Sequence, residues 1–155
     1  MVNPTYRSYV FISFFIFILT APKVSSKQFE IRWKISSSVE IQNQSKALSD
    51  LSKLYSFWES TGEIVRFSDL IQVPESVQSN LQVMYPHHVE GQVATLKDKG
   101  QERRLFIKCR DGWISFRQFY YAKKKMMSAS DFYSGFISTR KDSVPKFISK
   151  YETEK

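Results

Sequence analysis

Basic side chains concentrate in one part of this chain, at a spacing that suits contacts to phosphate groups. Among those between positions 103 and 125, seven are candidate contacts: Arg103, Lys108, Arg110, Arg117, Lys123, Lys124 and Lys125. The last three, here called the lysine triplet, have no acidic residue among them, and Tyr120 and Tyr121 stand nearby to stack on a base or to hydrogen-bond. The residues thus predict a phosphate-contact surface, and they leave open a plain solvated rim of the domain.

The distribution of charge along the chain favours the same interpretation. The net charge is +8. Residues 1 to 96 hold 8 Lys/Arg and 8 Asp/Glu and are neutral, whereas residues 97 to 155 hold 15 Lys/Arg and 7 Asp/Glu and carry the whole excess. A basic half is typical of proteins that bind a phosphate backbone or an anionic membrane.

Residue types that could perform catalysis or bind a metal are few. Cys109 is the only cysteine, so no internal disulfide is possible, and its place before a turn favours a small buried strand residue over a nucleophile. His87 and His88 are adjacent and on a strand would face opposite ways, so we interpret them as loop residues. There is no Cys/His cluster for zinc, no glycine-rich phosphate loop and no Gly-x-Ser-x-Gly motif, and we expect no metal.

The seven cations lie on a predicted hairpin that a helix follows. The pattern predicts a strand over residues 103–109 and a tight turn at Asp111 and Gly112, because both residues tolerate the positive φ of two-residue hairpins. Side chains alternate with period two over residues 113–120, which predicts the second strand. Ser128 and Asp131 have the spacing of a capping box, so we expect a helix to begin there.

The preceding residues are predicted to supply the body of the domain. We expect a short strand over residues 29–33 and a helix that begins at the Ser37–Glu40 capping box and ends at Gly62. The stripe that predicts this helix consists of Ile41, Leu48, Leu51, Leu54, Tyr55 and Trp58. Strands are expected over residues 63–73 and 92–96, with an irregular connection over residues 74–88. Several short strands and two capped helices predict an α+β domain built on a small β-barrel, with a capped helix before and after the barrel strands.

Three motifs in this chain occur together in one known family. They are Cys-x-Asp-Gly-Trp-Ile, a Lys-Lys pair and Met-Ser-Ala-x-Asp-Phe-Tyr-x-Gly, and they fall on Cys109, residues 111–114, Lys124, Lys125, residues 127–129 and residues 131–135. In these motifs the chain resembles the carboxy-terminal domain of methionyl-tRNA formyltransferase of the mitochondrial type. Residues 21–23 and 31–33 are similar to the segment that opens that domain. Lys123 departs from the Gly that usually precedes the Lys pair, and Arg32 from the Asp of the opening segment.

The resemblance covers about residues 21–137, and it implies more than the residues alone predict. It implies an OB-like barrel, initiator methionyl-tRNA as the partner, the seven cations as RNA contacts and a location in the mitochondrial matrix. It also implies that the catalytic half of the family is missing, since the chain has no loop of the His-Pro-Ser-Leu-Leu-Pro type. We therefore expect no catalytic residue and no cofactor in this chain, with 10-formyltetrahydrofolate bound by the catalytic domain. We expect a monomer.

The two ends of the chain are expected to lie outside this domain. Residues 9–21 form an apolar run behind Arg7, which is typical of a secretory signal peptide and, at 13 residues, short for a membrane span. Residues 1–20 are therefore interpreted as a signal-like leader, as a misread gene model or as an anchor. If the leader is real, the alternative function is a secreted or membrane-tethered small basic binding protein; a truncated product without function is a third hypothesis. Residues 138–155 are expected to be a polar, frayed tail.

Overall fold

One antiparallel sheet carries the domain. The computed structural model describes residues 25–97, 100–140 and 143–150, so the leader lies outside the described residues. The strands are β1 (Leu54–Trp58), β2 (Ile64–Ile71), β3 (Val93–Leu96), β4 (Arg104–Lys108), β5 (Trp113–Tyr121), β6 (Met127–Ser128) and β7 (Phe147–Ile148). Their order is β3-β4-β5-β2-β1-β7, with β6 paired to β5, and the sheet curls into a half-barrel. The predicted mixture of helix and strand is confirmed.

Among the described residues, three α-helices pack around this sheet, and a 3₁₀ turn spans Ser26–Phe29. The α-helices are α1 (Ser38–Leu48), α2 (Glu75–Met84) and α3 (Ala129–Phe132), which continues as a wider turn over Tyr133–Ile137. Both predicted capping boxes are confirmed on their serine side. The Ser37 hydroxyl accepts from the Glu40 amide at 3.1 Å, and the Ser128 hydroxyl accepts from the Asp131 amide at 3.2 Å. Within the described ranges, no helix is long and apolar enough to cross a membrane.

The helix predicted to begin at the Ser37–Glu40 capping box and to end at Gly62 is wrong beyond Leu48, because the chain turns there and forms β1. The inward positions of β1 are Leu54, Ser56 and Trp58, all nearly inaccessible to solvent. Because the middle one is a serine, the apolar alternation of a strand is hidden in the sequence. Ser56 can be buried because its hydroxyl has a hydrogen-bond donor and an acceptor as partners. It accepts from Trp33 Nε1 at 2.8 Å and donates to the Ile148 carbonyl at 2.9 Å.

The predicted irregular connection over residues 74–88 is also wrong, since α2 occupies most of it. Leu81 is its one fully buried side chain and packs in a small second core with Phe106 and Trp113. One buried residue makes a weak apolar stripe, which explains why the pattern failed. The Gln78 amide secures the helix instead: its Nε2 donates to the Trp113 carbonyl at 2.8 Å, and its Oε1 accepts from the Trp113 amide at 2.9 Å.

The expectation of a frayed tail is wrong for β7, and the strand expected over residues 29–33 does not form; both segments lie along β1. Ile31 donates its amide to the Tyr55 carbonyl at 2.9 Å next to a single parallel bridge at Glu30, so no strand forms there. In the described part of the expected tail, β7 pairs antiparallel with β1, and Phe147 is 1% exposed. The centroid of the Phe147 ring lies 4.9 Å from that of Trp58 and 5.1 Å from that of Phe67.

The same tail links the two ends of the sheet. The Phe147 amide donates to the Gly91 carbonyl at 2.8 Å, the Val93 amide donates to the Pro145 carbonyl at 2.9 Å, and Gln92 and Lys146 form an isolated bridge. Gly91 has a φ of +89°, and a Cβ added there would lie 2.2 Å from the Phe147 carbonyl oxygen. Only glycine therefore permits this approach of the two backbones.

The predicted β4–β5 hairpin is confirmed, but its turn works differently from our expectation. Neither Asp111 nor Gly112 takes a positive φ. The Asp111 carboxylate instead accepts from the Ser38 amide at 2.8 Å, and Arg110 donates to the Ile35 carbonyl at 3.0 Å, so the turn is docked on the start of α1. Cys109 is fully buried beside it, as predicted, and burial followed by the negative charge of Asp111 raises the pKa of its thiol to about 11.

We expect Gly91→Ala to destabilise the domain far more than Gly62→Ala. Both glycines have positive φ, but an added Cβ at Gly62 meets nothing within 4 Å. Gly62→Ala should therefore cost about 1 kcal/mol of unfolding free energy, and Gly91→Ala roughly 3 kcal/mol or more, because overpacking adds to the backbone cost. Urea unfolding followed by tryptophan fluorescence measures both. Equal losses would show that the Gly91–Phe147 contact does not support the fold.

We expect the Cys109 thiol to react slowly in the native protein. At about pH 8 a pKa of about 11 leaves roughly 100-fold less thiolate than the ordinary value of 9.0, and burial blocks the reagent in addition. Labelling with Ellman's reagent should therefore be at least about 100-fold slower in buffer than in guanidinium chloride. Cys109→Ser serves as the blank, and equal rates in the two solvents would contradict the buried position.

Candidate nucleic-acid interface

The two longest strands, β2 and β5, both change their inward face at the same point. On β5, Ile114 and Phe116 belong to the main core, but so do Phe119 and Tyr121, so the strict alternation predicted for residues 113–120 is wrong. On β2, Ser68 pairs with Gln118 and Leu70 pairs with Phe116, so Asp69 lies opposite the β5 residue between them. Asp69 takes a φ of +58°. A left-handed residue in a strand re-aims the side chains that follow it.

Arg117 lies opposite Asp69 and forms an ion pair with it. Its Nη1 lies 3.4 Å from Oδ2 of Asp69, with 65% and 46% of the two side chains exposed. Such a pair contributes little stability in water. It does, however, use one of the five donors of the guanidinium group, so a phosphate at Arg117 would share that group with an existing carboxylate.

The lysine triplet lies on the turn that ends β5. Ala122 takes a φ of +50°, its amide donates to the Ile64 carbonyl at 2.8 Å, and the Lys124 amide donates to the Tyr121 carbonyl at 2.9 Å. All three lysines are exposed. Across the residues that the structure describes, no carboxylate forms an ion pair with the triplet. A backbone held by hydrogen bonds thus presents three exposed lysines, and the Lys124 ammonium lies 5.6 Å from the centroid of the Tyr121 ring and 5.9 Å from that of the Phe136 ring.

The two tyrosines beside the triplet differ in what they can do. Tyr121 is buried, stacks on Phe136 at 4.3 Å between ring centroids, and donates its hydroxyl to Thr61 Oγ1 at 2.9 Å. The expectation that Tyr121 can stack on a base is therefore wrong. Tyr120 points to the opposite face of the sheet and is only half-buried.

Lys108 and Arg110 do not lie beside the triplet, and Arg103 is engaged with other residues. Lys108 pairs in register with Trp113 at the first residue of β5, whereas the triplet follows its last residue, roughly 26 Å away at 3.3 Å per residue. Arg110, beyond Lys108, is held against α1, with Nη2 at 3.4 Å from Glu40 Oε1. Arg103 lies over the Tyr133 ring at 3.8 Å and donates to Thr95 Oγ1 at 3.2 Å. The structure thus separates residues that the sequence suggested were one surface.

Two cations that the sequence did not suggest do lie next to the triplet. Arg66 stands opposite Tyr120 in the β2–β5 register, and its Nη1 donates to the carbonyl of Ala122 at 3.5 Å. The Lys53 ammonium lies 4.8 Å from the centroid of the Tyr120 ring. Both residues belong to the electrically neutral half of the chain, so only strand pairing could have revealed them. We call the combined surface the basic face: Lys53, Arg66, Lys123, Lys124 and Lys125.

Among the described residues, the histidines and acidic side chains show no arrangement for metal binding. His88 Nε2 lies 3.2 Å from the Val93 carbonyl, and the ring sits between Tyr85 and Trp113. Desolvation, the larger effect, and the nearby Lys108 charge lower the pKa of His88, so the ring is neutral at neutral pH. In the part of the chain that the structure describes, no three His, Cys, Asp or Glu side chains form a group that could hold a metal ion.

Comparisons with known proteins agree with the motifs. The family model of the formyl transferase C-terminal domain matches residues 23–137. The mitochondrial methionyl-tRNA formyltransferase of Rattus norvegicus is 30% identical over 118 residues, which is 76% of this chain and 29% of the relative. The Homo sapiens protein of the same name is 29% identical over 117 residues, which is 76% of this chain and 28% of the relative. The chain thus spans less than a third of the length of these relatives.

The family match covers most of the described residues, including the whole β1–β6 sheet and α3. The resemblance predicted from the Cys-x-Asp-Gly-Trp-Ile and Met-Ser-Ala motifs is therefore confirmed. This chain belongs to the family of formyl transferase C-terminal domains.

Proposed function

We propose that this chain is a tRNA-binding domain of a mitochondrial-type methionyl-tRNA formyltransferase, with initiator methionyl-tRNA as its partner. The observation that carries the proposal is the basic face: five cations, four of them exposed, around Tyr120 and the turn that ends β5 in a formyl transferase C-terminal domain. The names of the relatives supply the substrate class and the compartment. RNA is the polyanion that such a protein must hold.

The chemistry of the basic face suits backbone contacts rather than base readout. The triplet presents flexible ammonium groups without a rigid fork, and lysine acts on phosphates as a point charge. Contacts of this kind position a nucleic acid and add affinity, but they carry little sequence information. A domain that holds the body of the tRNA, while another part of the enzyme acts on the methionyl end, needs this kind of contact.

Formyl transfer itself is proposed to belong to a part of the enzyme outside this chain. The relatives are more than three times as long as the segment that matches here. The donor, 10-formyltetrahydrofolate, is proposed to bind in that other part. The contribution of this chain is then affinity and orientation, which lower the entropic cost of bringing the reacting groups together.

We also propose that the sheet is a small OB-like barrel. The bonds from Gly91 and Val93 to the Pro145–Phe147 segment support this, because they join β7 to the start of β3 at the other end of the strand order. Barrels of this class have no free edges there to pair with a second copy. The proposed state is accordingly a monomer.

We expect neutralising the lysine triplet to weaken tRNA binding and to flatten its salt dependence. The variant is Lys123→Gln/Lys124→Gln/Lys125→Gln, and the measurement is the affinity for initiator tRNA between about 50 and 200 mM salt. The slope of log K against log salt should fall by about 0.7 to 0.9 for each phosphate that the variant no longer neutralises, so a total decrease of about 2 is expected.

The matched control is Lys46→Gln/Lys97→Gln, which removes two exposed cations on α1 and after β3. Per removed charge, the control should change the slope much less than the triplet variant does. A triplet variant with the wild-type slope would overturn the proposed function. Equal effects per charge would show that the net charge of the domain acts, rather than the basic face.

A further inference from the structure

We propose that the basic face takes an unpaired RNA nucleotide, whose base stacks on Tyr120 while its flanking phosphates lie against Arg66 and the lysine triplet. This inference rests on the proposed function, and it specifies which part of a folded RNA the surface binds. The observation behind it is the position of the half-buried Tyr120 ring, which lies among cations on the side of the sheet opposite the core.

The Tyr120 ring has a different environment from the aromatic side chains around it. Phe119 stacks on Phe132 at 5.0 Å, and Tyr121 stacks on Phe136 at 4.3 Å, so both serve the core. Tyr120 lies between them in sequence and points the other way. A half-buried tyrosine on the open face offers a large rigid surface at a small cost in conformational entropy, since only two side-chain torsions must be fixed.

The neighbours of Tyr120 on that face leave room for a flat ligand. Along β5 the flanking position on the same side is Gln118, whereas Ala122, just beyond the strand, packs its methyl group against the main core. Gln118 is turned to Ser68 on β2, since the Ser68 hydroxyl donates to its Oε1. Because Gln118 is already paired with Ser68 and the methyl group of Ala122 is turned to the core, a base can approach the ring without breaking a buried contact.

The cations around the ring are placed for the backbone of the same nucleotide. Arg66 faces Tyr120 across the strands and uses one N–H on the Ala122 carbonyl, so four of its five donors remain for a phosphate. Ala122 leads directly into the triplet, which puts the next cations one residue further along. The Lys53 ammonium lies 4.8 Å from the centroid of the Tyr120 ring, over its electronegative face. A base that stacks on this face would take the place of the ammonium, which could then bind a phosphate of the same nucleotide.

This arrangement favours an unpaired nucleotide over a duplex. In a duplex each base is covered above and below by its neighbours, so an aromatic side chain on a sheet cannot reach a base face except at an end. Unpaired bases in loops, bulges and termini can splay out and stack on tyrosine. The lysine triplet alone would bind paired and unpaired RNA alike, whereas Tyr120 adds a preference for the unpaired form.

The test compares a single-stranded RNA of about ten nucleotides with the same strand annealed into a duplex. The variants are Tyr120→Leu, which keeps the bulk and removes the aromatic face, and Tyr120→Phe, which keeps the face and removes the hydroxyl. We expect Tyr120→Leu to weaken single-strand binding by about 5- to 100-fold and to leave duplex binding unchanged. Tyr120→Phe should bind as the wild type does.

A second probe needs no variant and so does not depend on folding. The wild-type protein is titrated with a ribose-phosphate strand of the same length that lacks bases. We expect weaker binding by about 5- to 100-fold with the same salt slope, because the phosphates remain while the stacking surface is removed.

The melting temperature of Tyr120→Leu, compared with that of the wild type, shows whether its affinities are those of a folded protein.

The outcomes separate the two proposals. If the triplet variant has a flatter salt slope while Tyr120→Leu and the base-free strand bind like their references, the proposed function stands and the stacking inference is overturned. If duplex RNA binds at least as tightly as single-stranded RNA to the wild type, the inference is likewise overturned. If the triplet variant keeps its salt slope, the proposed function itself fails, whatever the Tyr120 variants do.

Discussion

The close approach of two backbones at Gly91 and Phe147 holds the two ends of the sheet together. A hydrogen bond of 2.8 Å joins the two residues at a place where a Cβ would collide with the carbonyl oxygen. It brings the far end of the described chain onto both β1 and the start of β3. The Phe147 ring then enters the main core beside Trp58 and Phe67. Without this approach, the sheet would keep two open ends, and the largest aromatic cluster would lack a central member.

A polar chain through the core aligns the three segments that meet on β1. Trp33 donates to Ser56, and Ser56 donates to Ile148, so one buried hydroxyl connects an early segment, a central strand and a late strand. Each of these groups would be costly to bury alone. Because they satisfy one another, they specify which segments are neighbours on β1, a choice that apolar packing leaves less defined.

The change of face at Asp69 and Arg117 decides where the charged surface can lie. Before this point on β5, Ile114 and Phe116 serve the main core, and after it Phe119 and Tyr121 do so. The side chain of Tyr120 is therefore directed to the outer face, opposite Arg66 and next to the turn of the lysine triplet. The same local twist keeps Tyr121 inside. Fold and candidate site are thus linked through a single left-handed residue in a strand.

Local sequence patterns were enough to predict the family, the mixture of helix and strand, both capping boxes, the β4–β5 hairpin and the exposed lysine triplet, because each depends on residues only a few positions apart. The extent of β1, the docking of β7 and helix α2 depend instead on long-range contacts. Ser56, Phe147 and Gln78 acquire their roles only from partners far away in the chain. The site divides in the same way. Lys123, Lys124 and Lys125 were visible as a run in the sequence. Strand pairing places Arg66 and Lys53 near them and separates Lys108 and Arg110 from them. A count of charges along the chain could not predict this, because it contains no information on which strands pair.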